Sequence, residues 1–296
     1  MAAAEQSLGF IGLGVMGEPM CANLARKSEQ PVFATDLRPE PLDRLARAGV
    51  RPCGSLAEVA MSADLIFLSL PGGAEVAEVV RAILAYPARR ARVIVDCSTA
   101  PVRLTRALAE EARALRVDYA DAPVARTRAA ARDGTLSIMV GASPALFAAI
   151  RPYLATMGRE ISHCGPVGSG QVVKLLNNMM LFEIGSALAE AMSIGRRAGV
   201  AEEVLLESLS KGSSDSFALR NHAMKAMLPR RFPEDAFGVD YALKDMDYAL
   251  ELARDAGVRA DGAEVARRRL EAARAQGFGR NYWPVILRVV DPESES

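Results

Sequence analysis

The sequence predicts an α/β protein, with a doubly wound and mostly parallel sheet over residues 1–165 followed by an all-helical domain over residues 166–296. Three observations carry that expectation. A short apolar run, Leu8 to Ile11, passes directly into Gly12-Leu13-Gly14-Val15-Met16-Gly17 and then into a helix-patterned segment, Glu18 to Lys27. Apolar runs of strand length then alternate with helical segments as far as Cys164, and such alternation implies parallel strands with helices on both faces. Past Gly165-Pro166 the alternation stops and the chain to Val290 reads as helices, broken at Gly199, Gly212, Pro229 to Pro233, Gly257 and Gly277.

Each element has its own warrant. The Gly12-x-Gly14-x-x-Gly17 turn, with Val15 and Met16 inside it, lies where a strand meets a helix, so its backbone N–H groups can face a pyrophosphate at the helix N-terminus. Taken alone the triplet also suits a turn that binds nothing. The next strand, Pro31 to Thr35, ends in Asp36, about 20 residues past the last glycine, where an acid accepts both hydroxyls of a ribose. That acid repels a 2′-phosphate, so NAD is favoured over NADP, although Arg38 two residues on offers a phosphate partner and leaves NADP open. Together these features describe a Rossmann-type dinucleotide domain.

Ser55 to Ser62 reads as a helix and Asp64 to Leu70 as a buried strand stopped by Pro71-Gly72-Gly73. Ala74 to Leu84 is helical and Arg92 to Asp96 is a strand. Ligands of such sheets lie beyond the carboxyl ends of the strands, which brings Leu70-Pro71 and Ser98-Thr99 to the cofactor. Either pair also suits a plain turn, and Ser98 or Thr99 suits an N-cap before Pro101. Val117 to Val124 is a strand, Ala125 to Gly134 a loop rich in alanine and arginine, and Thr135 to Val140 a strand. Pro144 to Met157 is a helix with proline near its first position, and Glu160 to Cys164 a last strand whose His163 reads as structural or surface.

Composition bounds the partners. The 296 residues are 50% hydrophobic, enough for a sizeable core, and 36 basic side chains balance 36 acidic ones. No electrostatic footprint for nucleic acid or an anionic membrane is visible, and a small-molecule partner is expected. Cys21, Cys53, Cys97 and Cys164 are scattered without a Cys-x-x-Cys pair, and only two histidines exist, so neither a metal site nor a disulfide framework is expected. Scattered cysteines, a polar lead-in without a leader pattern and no apolar run of spanning length suggest a cytoplasmic protein.

Gly168 to Asn178 opens a proline-free run continuing to Arg197, a helix spanning roughly 40 Å. Val172, Val173, Leu175, Leu176, Met179, Met180 and Phe182 leave a narrow polar strip of Gln171, Lys174 and Asn178, so the helix is expected to be mostly buried. A lysine there either extends its amine to solvent or meets chemistry that needs it.

Four blocks resemble one family. Gly9 to Gly17 is similar to the dinucleotide signature of the β-hydroxyacid dehydrogenases, Asp121-Ala122-Pro123-Val124 to their substrate-loop block, Gly168 to Asn178 to their catalytic block, and Leu243-Lys244-Asp245 to a late block. The family contains 3-hydroxyisobutyrate dehydrogenase, tartronate semialdehyde reductase and, more distantly, 6-phosphogluconate dehydrogenase. The resemblance implies that Lys174 is the acid/base, that Asn178 with Asn177 orients the substrate, and that Lys244 reaches toward cofactor and substrate. It implies an NAD-dependent oxidoreductase interconverting a small anionic β-hydroxyacid, of the 3-hydroxyisobutyrate type, with its semialdehyde, working as a homodimer or homotetramer.

Several physical requirements follow from that resemblance. Alcohol oxidation needs a base within hydrogen-bond reach of the hydroxyl, and a lysine amine serves only if burial or a positive neighbour lowers its ordinary pKa of about 10.4. The glycines at 168 and 170 bring backbone N–H groups close to an anionic substrate at a helix N-terminus, which makes Gly170 a substrate-binding position. The family's usual Ser-Gly-Gly after Asp-Ala-Pro-Val is replaced by Ala125-Arg126-Thr127. Arg126 offers a fork of donors to a carboxylate, sulfonate or phosphate, and Thr127 adds a hydroxyl, while Arg128 and Arg132 read as solvated. The Ala-Arg-Thr triplet resembles the Gly-Arg-Thr of sulfolactaldehyde reductases, so sulfolactaldehyde or another strongly acidic C3 or C4 semialdehyde is the alternative substrate. From a different class, the alternative is an NAD-sensing protein without turnover.

Overall fold

The computed structural model describes residues 6–234 and 236–293. By internal contacts the chain divides into two compact units that meet between Lys174 and Leu175. The change of composition at Gly165 and this division therefore differ. The turns of helix that precede Leu175 are bonded to the sheet unit, as described below.

In chain order the first unit comprises β1 (Leu8–Ile11), α1 (Gly17–Lys27), β2 (Val32–Thr35), α2 (Pro39–Ala46), β3 (Arg51–Pro52), α3 (Leu56–Ser62), β4 (Leu65–Leu68), α4 (Gly73–Ala85), β5 (Val93–Asp96), α5 (Val102–Ala114), β6 (Asp118–Asp121), β7 (Val124–Ala125), α6 (Arg128–Asp133), β8 (Leu136–Gly141), α7 (Pro144–Met157) and β9 (Gly158–Gly165). The nine strands form one sheet in the order β3-β2-β1-β4-β5-β6-β8-β7, with β9 on β8. Strands β1 to β6 pair in parallel, and the chain turns antiparallel only at β6–β8 and β7–β8. Strand order reverses at β1, whose neighbours are β2 and β4, so the crevice for a ligand opens at the carboxyl ends of β1 and β4.

Alternate residues of the central strands feed two cores. Leu8, Phe10, Leu65, Phe67 and Val95 point to one face, and Ile11, Ile66, Leu68 and Ile94 to the other. Burial on both faces explains why these strands read as continuous apolar runs.

Four features depart from the sequence expectation. Helix α2 is additional, while α5 follows the Pro101 that the sequence marks as a helix start. The loop expected over Ala125 to Gly134 contains α6, and the strand expected to run to Val124 breaks after Asp121, with β7 pairing instead with β8. Pro101 occupies the N-cap of α5, so neither Ser98 nor Thr99 caps that helix.

Helix α8 (Ser169–Arg197) begins in the first unit and continues into the second, followed by α9 (Glu202–Leu209), a π-helical segment (Leu219–Met227), α10 (Val239–Asp255), α11 (Asp261–Ala273) and α12 (Ile286–Val290). Phe182, Leu188, Ala189 and Met192 of α8 join Leu206, Leu243, Met246, Leu270 and Trp283 in the core of this unit. Gly185 is required there, because a Cβ would overlap the Trp283 indole. At the far end of α8, buried Asp291 accepts from Arg196 Nη2 at 2.8 Å and Arg197 Nη2 at 3.1 Å, opposing the negative helix terminus with paired cations.

The expectation that α8 is mostly buried fails. Val173, Leu176, Met180 and Ile194 are 41%, 39%, 56% and 68% exposed. The polar strip lies inside beside Leu175 and Phe182: Gln171 is 0%, Lys174 9% and Asn178 2% exposed. The helix is also long and apolar enough, by length and composition alone, to cross a membrane, contrary to the reading that no run reaches that length. Its bonds to the sheet unit and its place in the second core are those of a core helix.

Candidate active site

The glycine turn after β1 fits a dinucleotide by its packing. Gly12 has φ +91°, the left-handed region that favours glycine, and a Cβ there would overlap the Ser69 carbonyl. A Cβ on Gly17 would overlap the Gly12 carbonyl, so that glycine lets α1 close on the turn. Gly14 is different: no atom lies within 4 Å of where its Cβ would be, and the backbone faces open space that a phosphate can enter. Val15 beside it is exposed.

At the end of β2, Asp36 Oδ2 accepts from Leu13 N at 2.5 Å, and Oδ1 accepts from Arg38 N at 2.9 Å and pairs with Arg38 Nε at 3.3 Å. The carboxylate therefore braces the glycine turn from the position where a ribose diol is expected. Arg38 also donates through Nη2 to the Leu13 carbonyl at 3.1 Å.

The loops after β4 and β5 are joined. Leu70 N donates to Ser98 Oγ at 2.9 Å, and Ser98 N donates to Asp96 Oδ1 at 2.9 Å. Tyr119 OH donates to Asp96 Oδ2 at 3.2 Å. Pro71 is exposed and Thr99 half-buried on the same strand-end edge. Burial, with a smaller push from the Asp121 charge, raises the Asp96 carboxyl to about 6, against hydrogen bonds from Ser98 and Tyr119 that lower it.

Asp121 is the register partner of Asp96 on β6 and is likewise 0% exposed. Its Oδ1 accepts from Gly168 N at 2.6 Å and its Oδ2 from Gln171 N at 2.8 Å, so the N-terminus of α8 already holds an internal carboxylate. A Cβ on Gly170 would lie 2.8 Å from Asp121 Oδ2, and Gly168 has φ +91°. The glycines at 168 and 170 thus bring the helix backbone onto Asp121, which occupies the place that the sequence assigns to a substrate anion. Burial also raises Asp121 to about 6, against the backbone hydrogen bonds that lower it.

Between β7 and α6, Arg126 is exposed, takes φ +90° and donates through Nη1 to the Thr135 carbonyl at 3.2 Å. Thr127 Oγ1 accepts from Ala130 N at 3.3 Å as the N-cap of α6, a structural duty that leaves its hydroxyl proton to donate. Arg128 and Arg132, read as solvated, line an open cleft with Val15, Arg26 and Arg44 between α1, α2 and α6. His163 Nε2 lies 2.8 Å from the Ala142 carbonyl and its ring stacks on Phe147, a structural arrangement.

In the second unit, Asn178 Nδ2 donates to Asp245 Oδ2 at 2.6 Å, and Lys244 Nζ pairs with Asp245 Oδ1 at 3.0 Å. Asn177 Nδ2 donates to Asn178 Oδ1 at 3.1 Å. Lys244 Nζ lies over the Tyr241 and Tyr248 rings, 5.7 and 5.4 Å from their centroids. Asp245 thereby brings the expected residues 177, 178 and 244 together, a function that sequence reasoning missed although the block containing Asp245 was in view. Asp96 was missed as well, while Ser98 was expected at the cofactor edge and Gln171 was in view without a role. For Gln171 the signal was its place three residues before Lys174 on the polar strip.

Known proteins resemble this chain over most of its length. Residues 7–165 match the profile of the NAD binding domain of 6-phosphogluconate dehydrogenase, and residues 168–289 that of NAD-binding of NADP-dependent 3-hydroxyisobutyrate dehydrogenase. The chain is 35% identical over 288 residues to 2-(hydroxymethyl)glutarate dehydrogenase of Eubacterium barkeri, covering 95% of this chain and 94% of that protein. It is 34% identical over 258 residues to 3-hydroxyisobutyrate dehydrogenase of Pseudomonas aeruginosa, covering 86% of each. The structure of Mycobacterium tuberculosis 3-hydroxyisobutyrate dehydrogenase with L-serine superposes with a TM-score of 0.88 at 27% identity, covering 97% of this chain and 99% of that one. With both halves matched and relatives aligned over most of its length, the chain belongs to the β-hydroxyacid dehydrogenase family of NAD(P)-dependent oxidoreductases.

Proposed function

We propose that the protein is an NAD-dependent dehydrogenase or semialdehyde reductase for a small β-hydroxyacid of the 3-hydroxyisobutyrate type, with Lys174 as general acid/base. The observation that carries this reading is a lysine only 9% exposed, six residues into a helix whose start is pinned by Asp121 at the carboxyl edge of a nucleotide-binding sheet. A bound dinucleotide supplies hydride acceptance or donation. Lys174 Nζ takes the hydroxyl proton in oxidation and returns it to the carbonyl oxygen in reduction. Asn177, Asn178 and Lys244 orient the substrate and its cofactor, with Asp245 holding Asn178 and Lys244 in register. Gly12, Gly14, Val15, Met16 and Gly17 receive the pyrophosphate, and Leu70, Pro71 and Thr99 border it. Asp36 favours NAD over NADP, because a carboxylate accepts a ribose diol and repels a 2′-phosphate.

A second substrate reading rests on Arg126. An arginine at φ +90° in the substrate loop, together with a relative named for 2-(hydroxymethyl)glutarate, supports a substrate that carries a second anionic group. That reading includes sulfolactaldehyde and acidic C3 or C4 semialdehydes, and extends to hydroxymethyl dicarboxylates. The enzyme acts as a homodimer or homotetramer in the cytoplasm, a compartment that suits its four free cysteines.

The test is direct. Lys174→Ala should bind NAD as the parent does and lose turnover by orders of magnitude, whereas parental turnover in that variant ends the assignment. Assaying both directions against 3-hydroxyisobutyrate, 3-hydroxypropionate, glycerate, serine, 4-hydroxybutyrate, sulfolactate and 2-(hydroxymethyl)glutarate, with their aldehydes, decides between the substrate readings.

A further inference from the structure

Gln171 is fully buried and anchored at three points. Its backbone N donates to Asp121 Oδ2 at 2.8 Å, its Nε2 donates to the Ser98 carbonyl at 2.8 Å, and its Oε1 accepts from Ala100 N at 3.2 Å. The partners belong to the ends of two different strands. Asp121 fixes where α8 begins along its axis, because Gly168 N and Gln171 N both converge on one carboxylate that has no room to shift. Glycines at 141 and 170 close around it, and a Cβ at either would press on its oxygens.

The side-chain amide of Gln171 fixes a different coordinate. Bonded to the backbone of the loop after β5, it sets the rotation of the helix about its axis. That loop is in turn bonded to the loop after β4, through Leu70 N and Ser98 Oγ. Lys174 follows three residues later, about 4.5 Å along the axis and roughly 60° around it. At a side-chain radius of ~5–6 Å, a 10° turn of the helix displaces the amine by about 1 Å. A misplacement of about 1 Å can cost ~10²-fold in rate.

We propose that Gln171, seated by Asp121, is a positioning residue that indexes Lys174 to the two loops bordering the cofactor. Those loops and the amine then keep one geometry when the dinucleotide and substrate are bound. The inference rests on Lys174 being the acid/base, and the experiment separates the two.

Gln171→Met keeps the length and volume of the side chain and removes both of its hydrogen bonds. It should lower kcat about 10- to 100-fold while the NAD Kd and the KM of the hydroxyacid stay within about threefold. In a Lys174→Ala background, measured under single-turnover conditions with enzyme in excess, the same substitution should change the residual rate by less than about twofold, because no amine remains to be positioned. Asp121→Asn, which turns an amide N–H against a helix N–H, should show the same dependence on background and serves if Gln171→Met does not fold. A kcat for Gln171→Met within about twofold of the parent overturns the proposal. An equal proportional loss in both backgrounds also overturns it, since Gln171 would then act on the fold or the cofactor loops alone. Parental turnover in Lys174→Ala by itself removes the acid/base assignment, a result read before Gln171 is touched.

Discussion

At the scale of single residues, backbone conformation says more about Arg126 than its chemistry does. A non-glycine residue at φ +90° is strained by roughly 1–2 kcal/mol, and its position is one where the family pattern has glycine. The side chain thus persists against a backbone cost. Arg126→Gly should leave thermal stability at or above the parental value while lowering kcat/KM for the best anionic substrate about 10- to 1,000-fold, the range for loss of a charged or bidentate contact. Arg126→Ala keeps the strain and should lose the same activity without any gain in Tm. If both variants retain kcat/KM within about twofold of the parent, Arg126 is an ordinary surface residue bonded to the Thr135 carbonyl. Asp36 gives a second residue-scale prediction. The parent should use NAD more efficiently than NADP, and Asp36→Ala should narrow the ratio; equal kcat/KM with both cofactors in the parent would contradict it. What was legible in sequence here follows from covalent constraint. Gly12 and Gly17 are recognisable because a Cβ at either would overlap backbone, and Gly14 by its place between them, whereas Gln171 depends on Ser98 and Ala100, more than seventy residues away, whose approach no local pattern encodes.

At the scale of elements, legibility tracks periodicity. Strand β1 and helix α7 fall where the sequence puts them, because a fully buried run and a proline-led apolar helix each have one clear reading. Helix α2 escapes notice although Pro39 leads it, and α5 shows in the sequence only as a cap before Pro101, because charged residues break up the apolar side of each. Helix α8 shows the converse: its length is legible, but which side turns inward is not. Hydrophobicity places Val173 and Met180 inside, yet the interior side takes the polar strip together with Leu175 and Phe182, since Asp121 and the loop after β5 satisfy Gln171. The buried carboxylates at the head of this helix have a thermodynamic signature. Asp96 and Asp121 sit at about 6 in the folded protein, above the ordinary 3.8, so between these values the folded state binds more protons than the unfolded one. Their contribution to stability is greatest at low pH, falls as pH rises through about 4 to 6, and is flat above. Asp121→Asn does not titrate. Relative to the parent, its unfolding free energy should rise by about 1–3 kcal/mol between pH 4 and 7.5, on top of a constant loss from the altered hydrogen bond. Parallel pH–stability curves for the two proteins would show that Asp121 does not titrate in this window.

At the scale of the whole molecule, the exposed side of α8 is an apolar surface. Val173, Leu176, Met180 and Ile194 recur at helical spacing along roughly 30 Å, 39% to 68% exposed in the single chain. An apolar stripe of this length suits an interface, and we expect a second copy of the same helix across a twofold axis, where the same patch faces itself. The membrane-crossing length of α8 does not compete with this reading, because Gln171 and Asn178 of the same helix are buried and hydrogen-bonded, and Phe182, Leu188 and Met192 belong to the second core. The parent should therefore sediment as a dimer or tetramer at micromolar concentration. Met180→Glu places two like charges near the centre of the stripe in a symmetric pair, and should shift the protein toward monomer and lower its Tm, with the shift strongest at low salt, where the repulsion is least screened. A parent that remains monomeric at micromolar concentration, or a Met180→Glu variant that assembles as the parent does, would exclude this side of α8 as the subunit interface.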